Sequence, residues 1–141
     1  MAYTHKQRVQ YFDTDKMQVT HHANYIRFYE TARTEYLRSE GLAYSDMEKG
    51  DFQIPVLGVE AKFMTPSVYD ELIAIDCRID KLGPASFEME YVIRNAETDE
   101  VHVKGRSRHG FTDANLRPIP LKKKNPELYD FFLKLYEKDK K

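Results

Sequence analysis

Between Gln53 and Asp113 the chain alternates apolar and polar residues in four successive runs, and a period of two sustained that long dictates a sheet. Leu57, Val59, Ala61 and Phe63 alternate with Gly58, Glu60 and Lys62, and Ile73, Ile75, Cys77 and Ile79 with Ala74, Asp76 and Arg78. Phe87, Met89, Tyr91 and Ile93 alternate with Glu88, Glu90 and Arg94, and Val101 and Val103 open a last run through Gly105, Ser107 and His109 toward Phe111. Each run is expected to turn one face to a core. The breaks at Thr65-Pro66-Ser67, Leu82-Gly83-Pro84 and Asn95 to Glu100 are too short for crossovers, so the strands are expected to be antiparallel neighbours. A further strand is predicted from Thr4 to Phe12, ended by the turn-forming Asp13-Thr14-Asp15.

One helix stands out against this background. No Gly or Pro interrupts His22 to Glu40, and Tyr25, Phe28, Tyr29, Ala32, Tyr36 and Leu37 recur at helical spacing, with Gly41 placed as a capping glycine. Apolar bulk on most sides of its first turns predicts that its N-terminal half is buried. A short helix is predicted from Tyr44 to Lys49. At the other end, Asn125-Pro126-Glu127 supplies an N-cap, a first-position proline and an acid, predicting a helix over Leu128 to Lys138 docked by Phe131, Phe132, Leu135 and Tyr136. The expected class is α+β, one long helix buried against a single five-stranded antiparallel sheet, within one domain spanning 1–141.

Bulk properties narrow the function. Lys and Arg total 22 against 23 Asp and Glu, a net charge of -1, so no general attraction to nucleic acid or to a membrane is expected. Met1 to Lys6 lacks the apolar stretch of a secretory signal, which predicts a cytoplasmic location. The one cysteine, Cys77, is expected to be a small core residue. His5, His102 and His109 form no metal-ligand signature, there is no Gly-x-Ser-x-Gly elbow and no phosphate-binding glycine loop, so neither metal nor serine catalysis is expected.

The segment from Asp13 to Tyr25 is different, because it places acid, imidazole and amide groups between a strand end and a buried helix. Helix N-termini present unpaired N–H groups and a positive dipole end, suited to a developing oxyanion, and Asp15 is a candidate base or nucleophile beside it. An Asp before a helix is more often a cap or turn residue, and paired histidines such as His21 and His22 are more often structural. Glu30 and Arg33, three apart, are expected to pair along the helix. Lys62, Arg94, Lys104, Arg106 and Arg108 share the outward phase of their strands, mostly a solvated face, from which a few are candidates for meeting phosphates. Lys122 to Lys124 reads as a solvated connector.

Asp13-Thr14-Asp15, six residues, then His22-Ala23-Asn24-Tyr25, with Phe28-Tyr29-Glu30, Ala32-Arg33 and Glu35, resembles the hydroxybenzoyl-CoA thioesterase family. The likeness continues through Phe63-Met64-Thr65-Pro66, Asp70-Glu71-Leu72, Gly83-Pro84-Ala85-Ser86, Gly105, Asp113 and Arg117-Pro118-Ile119-Pro120. This resemblance implies the hot-dog fold, a homodimer or homotetramer with sites at the dimer interface, and hydrolysis of an acyl-CoA thioester without metal or bound cofactor, coenzyme A entering only as part of the substrate. It implies Asp15 as nucleophile or general base and the helix start from His22 as the carbonyl-polarising element. His22 then joins Asp15 as catalytic, while Ala23, Asn24, Tyr25, Lys62, Arg106 and Arg108 are expected to bind substrate. Relatives usually carry glycine and other small residues where Lys16 to His21 stand here, so a changed loop backbone and a reshaped acyl pocket are expected. Two other readings stay open: a non-catalytic module binding acyl-CoA or acyl carrier protein, and, more weakly, a dehydratase of hydroxyacyl thioesters.

Overall fold

The computed structural model describes residues 3–42 and 52–140. Five strands, β1 (Tyr3–Arg8), β2 (Val56–Phe63), β3 (Leu72–Leu82), β4 (Ser86–Asn95) and β5 (Val101–Gly110), form one antiparallel sheet in the order β1-β3-β4-β5-β2. The long helix α1 (His22–Ser39) lies against it, and a four-residue turn of helix, α2 (Leu121–Lys124), leads into α3 (Pro126–Asp139). The α+β class is as expected. The predicted helix at Tyr44 to Lys49 lies outside the described residues.

All six apolar positions that define the helical spacing, Tyr25, Phe28, Tyr29, Ala32, Tyr36 and Leu37, are buried. They meet the inward faces of β3 and β4, where Ile73, Ile75, Cys77, Ile79, Phe87, Met89, Tyr91 and Ile93 are all at most 2% exposed. Past the helix end, Gly41 takes φ of 99°, and the Leu42 N–H reaches back to the Leu37 carbonyl at 2.8 Å, closing the helix as a left-handed glycine cap does. Cys77 is buried, as expected, and burial pushes its thiol pKa up.

At α3 the Asn125 side chain accepts from the Leu128 N–H, as its position predicts. The docked stripe is Leu128, Phe132, Leu135 and Asp139, while Phe131 and Tyr136 are only partly covered. Asp139 is the unexpected member. Its buried carboxylate accepts from the Tyr36 hydroxyl at 2.7 Å and from the Ile79 N–H at 2.8 Å, tying α3 to both α1 and β3.

Two expectations need correction. The first strand ends at Arg8, because Tyr11 to Asp13 wind into a turn of 3-10 helix that leaves Tyr11 and Phe12 exposed. The core face predicted for β2 is present in phase only. Val59, Ala61 and Phe63 lie opposite Ser107, Gly105 and Val103 on the helix side, yet Leu57, Val59 and Phe63 are 52%, 45% and 54% exposed. Here β2 is an outer strand, which α1 touches through Tyr25 on Phe63 and the Tyr29 hydroxyl on the Glu60 carbonyl but does not cover. Among the described residues the result is a strand with an unpaired edge and a largely uncovered apolar face.

Candidate active site

The approach to α1 is a small knot of backbone ladders. Thr14 bridges Thr20, Val19 bridges Val68, and the Asp15 N–H donates to the Val19 carbonyl at 2.9 Å. Residues 15–19 form a tight loop in which Gln18 takes φ of 68°. Gln18 thus holds a left-handed conformation without being glycine and bears its strain. Thr20 Oγ1 and Ser67 Oγ are 2.6 Å apart, and the Tyr25 hydroxyl contacts Ser67 at both Oγ and N–H. Behind Ser67, Glu71 pairs with buried His102, whose other ring nitrogen meets Thr65, so the wall from Thr65 to Ser67 is braced.

The two acids of Asp13-Thr14-Asp15 have different tasks. Asp13 is 7% exposed and accepts from the Gln10 N–H at 2.8 Å, while its carbonyl takes the His21 N–H and the Asn24 side-chain amide. It is structural. Asp15 is half-buried and its carboxylate accepts only a local turn bond from the Met17 N–H among the described residues, which leaves acceptor capacity for a substrate or a water.

His21 is the N-cap of α1: its Nδ1 accepts from the Ala23 N–H at 3.1 Å, and its carbonyl accepts from the Asn24 N–H at 2.9 Å. Of the first three amides of the helix, only that of His22 has no acceptor among the described residues. It sits at the positive end of an 18-residue helix, a ready donor for an oxyanion. The His22 ring stacks on His21 at 4.3 Å and meets Phe63 edge-on at 6.2 Å. With Tyr25, Phe63, Met64 and Pro66 it lines a mainly apolar groove of about 290 Å3. Asp15 is not in that lining, but stands at the tip of the loop feeding the helix.

A larger cavity, about 520 Å3, lies on the outer face of the sheet between Lys62, Glu90, Lys104 and Arg106. It lies at no helix terminus, whereas the smaller groove opens at the start of α1. In the larger cavity Arg106 is ringed by acids: Asp80 at 2.6 Å, Glu90 at 3.1 Å, Glu88 at 3.6 Å and Glu60 at 3.8 Å. The Asp80 carboxylate foremost holds the guanidinium pKa up, and the same hydrogen bond is the main cause that holds Asp80 below the usual carboxylate range. The Arg106 Nη1 and Nη2 donate to Asp80 and Glu90, so a substrate phosphate at Arg106 would compete with these acids. The Asn24 side-chain N–H donates to the Asp13 carbonyl, and the Tyr25 hydroxyl is turned to Ser67 while its ring lines the groove. Lys62 and Arg108 are exposed and lie outside any ion pair among the described residues.

Nothing in the sequence reading singled out the polar chain inside the core. Arg33 does not pair with Glu30. Its Nη1 instead points to the Tyr91 hydroxyl at 3.4 Å, which bonds Ser107 Oγ at 2.7 Å, which in turn bonds His109 Nε2 at 2.7 Å. The available signal was phase, since Ser107 and His109 fall on the inward face of β5. Burial, reinforced by the Arg33 cation, lowers the His109 pKa from 6.5 to about 3, so the folded chain keeps this ring neutral while the unfolded chain protonates near pH 6.5. The unfolded state then binds the extra proton, and stability is expected to fall as pH drops from about 6.5 to about 3, by up to about 1.4 kcal/mol per pH unit. Urea unfolding at a series of pH values checks this, with His109→Gln expected to flatten the slope.

The sequence profile of the Thioesterase superfamily matches residues 17–102, more than half the chain. The chain belongs to the thioesterase superfamily. YneP of Bacillus subtilis (strain 168) is 31% identical over 134 residues, covering 94% of either chain. The acyl-CoA thioester hydrolase YbgC of Escherichia coli O157:H7 is 32% identical over 90 residues, 64% of this chain and 67% of that one. Among solved structures, a DHNA-CoA thioesterase from Staphylococcus aureus superimposes with a TM-score of 0.87 at 26% identity, covering 95% of this chain and 90% of that one. The architecture is the hot-dog fold of this superfamily.

Proposed function

We propose that the chain hydrolyses acyl-CoA thioesters, with Asp15 as nucleophile or general base and the His22 N–H polarising the thioester carbonyl. The observation that carries this reading is the pairing of an acid with spare acceptor capacity and an unpartnered amide at the start of one long helix, within a chain whose superfamily is defined by thioesterases. In this mechanism the carbonyl oxygen gains negative charge as Asp15 or its water attacks, and the helix amide and dipole are already aimed where that charge develops. A preorganised donor of this kind contributes about 3 kcal/mol to the transition state. The groove of Phe63, Met64 and Pro66 gives the acyl-sulfur region an apolar wall. Release of free acid and CoA from a panel of acyl-CoAs by the purified protein tests the reading, and saturable binding of acyl-CoA without turnover would replace it with the binding-module alternative.

The active unit in this proposal is a homodimer or a pair of dimers. Its support is β2, whose unpaired edge and exposed Val56, Leu57, Val59 and Phe63 leave an apolar strip that a second copy covers by antiparallel pairing. The 3'-phosphate and diphosphate of CoA then meet exposed cations, of which Arg108 and Lys62 are the candidates. Arg108→Ala is expected to raise KM for acyl-CoA about fivefold, the size of a roughly 1 kcal/mol exposed charge-assisted contact, and to leave acyl-pantetheine unchanged. Steady-state kinetics on the two substrates measure it, and an equal effect on both would remove Arg108 from the phosphate site.

A further inference from the structure

Further along α1 a second cavity, about 270 Å3, opens at the start of β2. Its walls are chiefly apolar, Leu37, Ile54, Val56 and Phe87 among them, and Glu30 and Arg33 are its charged lining. Arg33 is half-buried, and no carboxylate lies within ion-pairing distance of it among the described residues. One step deeper, His109 is fully buried and its Nδ1 has no partner among the described residues. His109 lies in register between Phe87 on β4 and Val56 on β2, both walls of the cavity, and its ring stacks on Phe87 at 4.8 Å. A cation without a counter-ion and an imidazole nitrogen without a partner are each costly to bury. The first lines this apolar cavity, and the second lies behind its Phe87 and Val56 walls.

We infer that this cavity receives the distal end of the acyl group and that Arg33 selects acyl groups ending in a carboxylate, an inference that rests on the acyl-CoA reading above. A terminal carboxylate supplies the acceptors that the guanidinium lacks, while the methylenes behind it cover Leu37, Ile54 and Val56. Glu30 lines the same cavity and opposes an anion, but it is exposed and its field is screened by solvent, whereas Arg33 acts from the half-buried side. Arg33 stands eleven residues from His22, about 16 Å along the helix at 1.5 Å per residue, so the corner that serves this cavity is the other subunit's. In the register in which two β2 strands overlap along their full length, antiparallel pairing about a two-fold axis sets Val56 opposite Phe63 of the partner subunit, and with it the groove where a thioester would lie. The acyl tail then crosses the interface.

The test uses CoA thioethers, which keep the acyl-like chain but offer no thioester to cleave. Those ending in a carboxylate are compared with methyl-ended ones of equal length, over several lengths, by titration calorimetry on the full chain. At the best length the carboxylated ligand is expected to bind about tenfold or more tighter, and Arg33→Met to remove that preference while changing methyl-ended affinity by less than about twofold. Arg33→Lys, which keeps the charge and loses the fork, retains part of it, and Glu30→Gln increases it. Equal affinity for both ligands in the unaltered chain, or equal losses for both in Arg33→Met and Arg33→Lys, overturns the inference. Because binding is read without turnover, a preserved preference in a protein that hydrolyses no thioester upholds the cavity assignment and rejects the hydrolase reading.

Discussion

Asp15→Asn is expected to lower kcat on acyl-CoA substrates by about 10²- to 10⁴-fold, the range for losing a positioned acid–base group, with thermal stability nearly unchanged. The combination follows from what the side chain does in the fold. Asp15 accepts a single turn bond from Met17, which an asparagine side-chain oxygen also accepts, so the substitution removes basicity and charge while the loop stays tied. Asp13→Asn provides the contrast. Its buried carboxylate holds the Gln10 N–H at 2.8 Å, so the expected cost is in stability, about 1–2 kcal/mol, with kcat changed far less. Matched kinetics and thermal melts of the two variants separate these outcomes, and equal rates for Asp15→Asn and the unaltered protein would dismiss Asp15 from the reaction.

Gly105→Ala is expected to be the most disruptive single methyl group in the chain. A Cβ at Gly105 would fall inside contact distance of the Tyr29 hydroxyl and the Glu60 carbonyl oxygen, and 2.7 Å from Tyr29 Cζ. Neither neighbour gives way easily. The Tyr29 ring is stacked on Tyr91 with centroids 4.1 Å apart and planes within 7°, and Glu60 is backbone of β2, paired to β5. Overpacking of this kind costs about 1–3 kcal/mol and here the upper end applies, which lowers Tm by roughly 10 °C in a chain of this size. The double variant Tyr29→Phe, Gly105→Ala removes the nearest atom and is expected to recover part of the loss. Full recovery would show that the Glu60 carbonyl is no obstacle, and no loss in the single variant would show that β2 swings freely on β5.

How much of this was legible in the residues depended on whether one chain segment decided the matter. The helix and the inward faces of β3 and β4 were legible because periodicity reports burial directly when a single partner covers an element, and every apolar position on α1 counted by its spacing is buried. The β2 strand misled for the same reason in reverse: its alternation describes a face made to be covered, and the missing cover belongs to no segment of the described chain. Asp15 stood out by its spacing to His22, while the structural task of Asp13 rests on the Gln10 bond, a contact with no sequence signature. Arg33 was misread because Glu30 one turn away is a plausible helical partner, while the hydroxyl it reaches lies 58 positions on. Arg106 looked like a free cation because its four acids come from three different strands.

The loop that carries Asp15 has a bearing on how such a chain can diversify. Its left-handed position is occupied by Gln18, and its shape is fixed by Asp15 and Val19 backbone bonds and by the bridges to Thr20 and Val68, none of which depends on a side chain's identity. Apart from the Asp15 carboxylate, which holds the Met17 N–H, geometry and composition are therefore decoupled over these few residues. Lys16, Met17 and Gln18 all face solvent, so mutation there is free to rewrite what the loop presents to an incoming molecule at a cost of about 1–3 kcal/mol for the one strained residue. A lineage can retune what this rim presents in small inherited steps, while Asp15 stays in register with the helix that follows it.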